Sequence, residues 1–318
     1  MKAFILLITL LLLSITALLS LRLGVVPLPW SALIDGWHTG HEHHYVLTQY
    51  RLPRLLLAIF VGAALAISGV LVQGIVRNPL ASPDILGVNH AASLATVSAL
   101  MLLPSLSVVW LPLLAFVGGL CALILLRAIA GRSSPLRLAL IGVALSATWA
   151  SLTDYLMLSR PQDVNNALLW LTGSLWGRGW SFVYVALPIM LALIPLSAWF
   201  CRDLDLLALG DDRASTLGVP VRRAQRLGLL LAVALAATSV AVCGPIAFVS
   251  LVVPHLTRRL LGGRHHWLLP GAALIGAFVL TLADLLARII NPPAELPAGM
   301  LTAIIGAPWF IWLLVRMR

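Results

Sequence analysis

Residues 202–226 read RDLDLLALGDDRASTLGVPVRRAQR, and they decide the fold because they interrupt a chain that is otherwise membrane-like. Nine of the 32 charged residues fall in these 25 positions, interleaved with apolar groups at Leu206, Leu207 and Leu209 and at Ala214, Leu217 and Val219. Interleaving of this kind marks a compact polar element, not a solvated linker. The start and stop chemistry of helices predicts two short ones. Asp205 is placed to cap a first that stops at Gly210, and Asp211 a second that stops at Gly218, with Pro220 just beyond.

Around this segment the composition leaves one solvent. Of 318 residues 61% are apolar and 10% charged, with mean hydropathy +1.02, too little polar cover for a water-soluble core. The net charge of +10 does not point to nucleic acid, because the arginines lie between apolar runs and not in one stripe with aromatics. They read as topology signals and headgroup contacts. Lys2 is the sole lysine, so the chain has no G-x-x-x-x-G-K phosphate loop and does not itself hydrolyse ATP in that manner. Cys121, Cys201 and Cys243 have no metal-ligand or redox spacing and read as packing residues.

Apolar runs fall near 3–23, 54–76, 88–103, 106–127, 138–158, 181–201, 227–243, 245–261, 267–289 and 298–315, which predicts an all-α polytopic membrane protein of about ten transmembrane helices. The first run is read as an uncleaved span, since it lacks a convincing cleavage site. Arginines flank both ends of 227–260, so both ends belong on one side, with Gly244-Pro245 as the turn between. Ten crossings from an inner N-terminus put fifteen Lys and Arg inside and six outside. That balance places both termini and residues 202–226 in the cytoplasm, where two helices built outside the bilayer are expected to meet a cytoplasmic ATPase. Clusters such as Gly62-Ala63-Ala64 and Gly271-Ala272-Ala273 permit close helix contact in lipid.

Several local features have a plain and a functional reading. Arg51-Leu-Pro-Arg54 opens the second span as a headgroup anchor or as a dock for an acidic external partner, and Arg288 either joins it or pairs with Asp284 four residues earlier. From Gln73 through Asn78-Pro79 and Ser82-Pro83 to Gly87 the backbone is pushed out of helix twice, as an ordinary inner turn or as part of the translocation path. Asp84, Asp154 and Asp284 lie near span ends, where a solvated or Arg-paired carboxylate is expected over a proton-coupling one. His38-Thr-Gly-His41-Glu42-His43-His44 lacks the H-E-x-x-H spacing and reads as a solvated loop with no metal site.

Taken in order, Arg51-Leu-Pro-Arg54, the RNPLASPDILG core of 77–87, Ala208-Leu-Gly210 through Leu217-Gly-Val219, Cys243-Gly-Pro-Ile-Ala-Phe248 through Pro254-His255, and Glu295-Leu-Pro-Ala-Gly299 through Gly306-Ala-Pro-Trp-Phe310 resemble the FecCD family. These are permease subunits of ABC importers for iron-siderophores and vitamin B12, and the likeness covers nearly the whole chain. It implies a type II importer permease fold: one permease domain over 1–318, with coupling helices at about 203–222. A non-identical homologous permease, two ATPases holding ATP and Mg, and a periplasmic binding protein would complete the assembly in a bacterial inner membrane. The coupling element maps onto Leu209, Gly210, Asp211, Arg213, Ala214, Leu217 and Gly218, and the binding-protein contacts onto Arg51, Arg54 and Arg288. Gln73, Asn78, Pro79, Ser82 and Pro83 are the candidate path or gate. The likeness favours ferric citrate as cargo, with another ferric siderophore or a corrinoid behind it. An ion-coupled secondary transporter is the rival from another class.

Overall fold

The computed structural model describes residues 1–131, 135–161 and 164–316; Arg132 and Arg318 of the charge count lie outside them. All ten apolar runs fall on helices: α1 (Lys2–Arg22), α3 (Leu52–Val76), α4 (Val88–Leu102), α5 (Leu111–Ala130), α6 (Pro135–Ser159), α8 (Trp180–Ser197), α11 (Val221–Cys243), α12 (Val249–Leu261), α13 (His265–Ile289) and α14 (Ala298–Arg316). Among the described residues four short α-helices join them: α2 (Trp30–Asp35), α7 (Val164–Leu171), α9 (Cys201–Leu207) and α10 (Asp211–Thr216). Seven segments among the described residues are long and apolar enough to cross a bilayer, while α4 and α12, at 15 and 13 residues, are too short to do so alone. Thirteen residues rise only ~20 Å against the ~30 Å of hydrocarbon, so ten full crossings is an approximate count.

The fold is built around α3, whose side chains are buried almost throughout and which packs against α8, α11, α12 and α13. That explains why its sequence is apolar on every face with no amphipathic stripe. Small residues set the spacing. A Cβ placed on Gly62 would stand 2.3 Å from the Gly276 carbonyl oxygen, and one on Gly276 would stand 2.3 Å from that of Gly62, so α3 and α13 touch backbone to backbone. By contrast α1 lies on the outside of α13 with most of its leucines exposed, as a lipid-facing helix must.

The turn at Gly244-Pro245 is present: α11 stops at Cys243, Gly244 adopts φ 74° and Phe248 φ 68°, and α12 begins at Val249. The first short polar helix departs from its expected start. Pro195 lies in the last turn of α8, and a 3₁₀ turn over Ala198–Phe200 leads without a break into α9. Asp205 therefore sits inside α9 and cannot cap it.

Candidate functional site

At one end of the bundle α9 and α10 fold into an elbow with an apolar centre of its own. Leu207, Ala214, Val219 and Ala224 are buried together, with Leu206 and Val221 against them. The chain reverses at Gly210, φ 104°, and at Gly218, φ 86°, where an L side chain would be strained. This packing sorts the apolar residues into two sets. Leu207, Ala214 and Val219 fold the elbow, whereas Leu209 and Leu217, each about half exposed at 50% and 52%, stand off it with Arg213 beside them. Exposed leucines on a rigid polar knob are what a partner cleft can take up.

Two carboxylates brace the elbow to the spans. Asp205 accepts from the backbone N of His265 at 2.9 Å and contacts its Nδ1 at 2.6 Å, so it caps the first turn of α13 instead of its own helix. Leu204 packs beneath, where Gly74 leaves room: a Cβ there would stand 3.0 Å from Leu204 and 3.2 Å from His265 Nε2. Asp211 is likewise not a cap. It is the first residue of α10, after Gly210, and its carboxylate meets Arg77 at 3.2 Å and Gln225 at 3.3 Å. Arg77 closes α3 in the left-handed conformation, φ 56°. Residues from α3, α11 and α13 thus hold the two elbow helices.

The broken passage adjoins this end. Gln73 is buried, donating to the Leu251 carbonyl and accepting from Arg258. Asn78 Oδ1 accepts from Leu80 N and buried Ser82 Oγ from Ile85 N, the local bonds of a tight turn, while Pro79 and Pro83 keep the segment out of helix until Val88. Asp84 departs from expectation. It is neither paired with an arginine nor freely solvated, but accepts from Asn89 and from Ser250 of α12.

At the opposite end the structure brings Arg51, Arg54 and Arg288 together, yet turns them inward. Arg54 chelates Asp284 through Nε and Nη2 at 2.9 Å and reaches Glu295 through Nη1 at 2.6 Å. Arg288 pairs with Asp284 at 3.3 Å and donates to Ser20. Arg51 donates to the carbonyls of Leu21, Arg22 and Val26. Arg51 and Arg288 thereby satisfy carbonyls orphaned at the C-terminus of α1, where cations are favoured. Each of the three is less than a tenth exposed and has partners within the chain, and of the two readings of Arg288 the i,i+4 pair with Asp284 is present. Sequence reasoning missed Glu295 as a member of this cluster and His265 as the partner of Asp205. Three guanidiniums against two carboxylates leave the cluster one positive charge in excess.

In the His-rich loop, His41 Nδ1 accepts from His43 N and the His44 ring meets the Gly36 carbonyl, so those ring nitrogens serve local turns. Asp154 is exposed on α6.

Comparison with known proteins gives the kinship of this geometry. The chain is 71% identical over 302 residues to the Fe(3+) dicitrate transport system permease protein FecD of Escherichia coli, covering 95% of each. It is 44% identical to the Fe(3+)-citrate import system permease protein YfmE of Bacillus subtilis, covering 95% of this chain and 92% of that one. Its identity to the hemin transport system permease protein HmuU of Yersinia pestis is 41%, covering 97% and 94%. A solved inward-facing conformation of a metal-chelate type ABC transporter superposes with TM-score 0.85 at 34% identity, covering 99% of both chains. The profile of the FecCD transport family matches residues 11–316, and the chain belongs to that family.

Proposed function

We propose that this chain is one permease subunit of a binding-protein-dependent ABC importer that carries a ferric chelate, ferric dicitrate in the first place, across a bacterial inner membrane. Its termini and elbow lie in the cytoplasm. ATP and Mg are held by two ATPase subunits, so the chain needs no cofactor and is not an enzyme. A second, homologous permease completes the path, and a periplasmic binding protein delivers cargo at the arginine end.

The observation that carries this reading is the elbow. A knob with its own core, braced to three spans and showing Leu209 and Leu217 to the outside, is built to transmit a push from another protein. Nucleotide-driven closure of the ATPases would move it as a unit and tilt the spans between outward and inward openings, a two-state change biased by nucleotide and docked partner. At the other end, docking uses the excess positive charge, with external carboxylates exchanging against Asp284 and Glu295 around Arg54 and Arg288. Gln73, Asn78, Pro79, Ser82 and Pro83 form the inner mouth. The cargo follows from the identity of 71% to the E. coli ferric dicitrate permease.

The test is uptake of radiolabelled iron citrate by cells lacking the gene, with and without its restoration, beside copurification of the restored chain. Loss, recovery and a copurifying ATPase are expected. Uptake that persists without the chain, or that runs on an ion gradient with no ATPase, would overturn the proposal.

A further inference from the structure

Beside the arginine cluster lies an open cavity of about 840 Å³, within the ~300–1,000 Å³ range of small-molecule sites. Its walls include Trp170 of α7, Trp176 and Arg178 from the segment before α8, Met101, and Glu295. Glu295 is already neutralised by Arg54. Arg178 is not matched: it makes no ion pair among the described residues, its Nε is buried without an acceptor, and its guanidinium rests 4.6 Å from the centre of the Phe182 ring. Burial pushes its pKa below the usual arginine value. The Trp170 indole N–H, on a side chain only 4% exposed, is a second buried donor on the same wall with no partner.

Arg178 is partly exposed and carries no counter-charge among the described residues, and an N–H buried without a partner, as at its Nε and at the Trp170 indole, is costly unless something supplies oxygens. Water can satisfy an indole and hydrate a partly exposed guanidinium, but an anion adds the charge-assisted hydrogen bonds and the counter-charge that water lacks. Aromatic walls with one fixed positive charge suit a bulky anion that must be oriented and then released.

We propose that this cavity is a reception site for the cargo, in which Arg178 and the Trp170 N–H take carboxylate oxygens of an anionic iron chelate as it leaves the binding protein. The proposal rests on the ferric dicitrate reading above and adds to it the residues that recognise the cargo's charge.

The test uses the whole importer, with both permeases, the ATPases and the binding protein, in phosphatidylcholine vesicles supplied with radiolabelled ferric dicitrate. Arg178→Gln should lower uptake at saturating binding protein about tenfold, Arg178→Lys should recover part of it, and Trp170→Phe should lower it two- to threefold. Binding-protein affinity and ATP turnover should not change. Normal uptake by Arg178→Gln overturns the proposal, and so does a parallel loss of docking and ATP turnover, which would mark a structural role. A lipid phosphate offers similar chemistry. If Arg178→Gln alters only the response to added anionic lipid and leaves uptake in pure phosphatidylcholine intact, the arginine is a headgroup anchor and the proposal fails. If the unsubstituted importer does not move ferric dicitrate, the cargo reading itself falls and takes this inference with it.

Discussion

The two ends of the bundle use the same residue types in opposite ways. At the elbow the charges are half exposed and the ion pair is loose: Arg77 and Asp211 have side chains 41% and 46% exposed. Apolar side chains complete the surface. At the arginine end the charges are turned in, with Asp284 fully buried between two guanidiniums and Glu295 beside them. An exposed pair contributes ~0.2–1 kcal/mol, whereas removing one partner from a buried one costs ~3–5 kcal/mol. One end is therefore cheap to rearrange and the other is expensive. On the reading proposed above, the elbow is the end that a partner moves and the arginine cluster is the end that holds the spans together.

The sharpest way to break this contrast is Leu217→Asp, which puts a charge on the exposed leucine without disturbing the elbow's core. ATP-driven uptake should be almost abolished while the permease still accumulates in the membrane, and normal uptake would refute a role for Leu217 in coupling. Asp284→Asn should cost ~3–5 kcal/mol by leaving Arg54 and Arg288 undercompensated, read as a lowered Tm of the purified permease. A Tm within a degree or two of the parent would show that the buried network is not structural. Asp205→Ala should cost ~1–3 kcal/mol, a charged hydrogen bond plus a helix cap. Hydrogen exchange should quicken in α9 and the first turn of α13 only, and quickening at the arginine end would blur the division between the two regions. The smallest effect distinguishes two changes at Arg77. Both Arg77→Ala and Arg77→Gly lose the pair with Asp211, but glycine also relieves the left-handed φ, so the glycine variant should be the more stable by ~1 kcal/mol in chemical denaturation.

Local chemistry made much of this legible. The ten helices follow from apolar runs, and the elbow's turns follow from Gly210, Gly218 and Pro220, because a left-handed glycine and a proline act within one turn of themselves. Direction and partnership were not legible. Asp205 looks like the cap of the nearest helix, yet the helix it caps begins 60 residues later. Arg54 reads as a headgroup anchor or a dock for an external acid, yet it holds carboxylates that lie 230 and 241 residues away. Nothing in a span's own composition says which distant acid it will meet, and an arginine at a membrane edge has the same sequence signature whether it faces outward or closes the end of a neighbouring helix. Asp84 misled for the same reason, since its donors come from Asn89 and from Ser250 in another helix.

The meeting of Gly62 with Gly276 bears on how any such machine can move. Two main chains in direct contact can pivot about that point, but sliding one past the other would drive Ala66 or Ala277 into a gap that has no width to give. Helices α3 and α13 must then travel as a single keel. A permanent covalent tie between them should leave the transport cycle of the proposed importer intact.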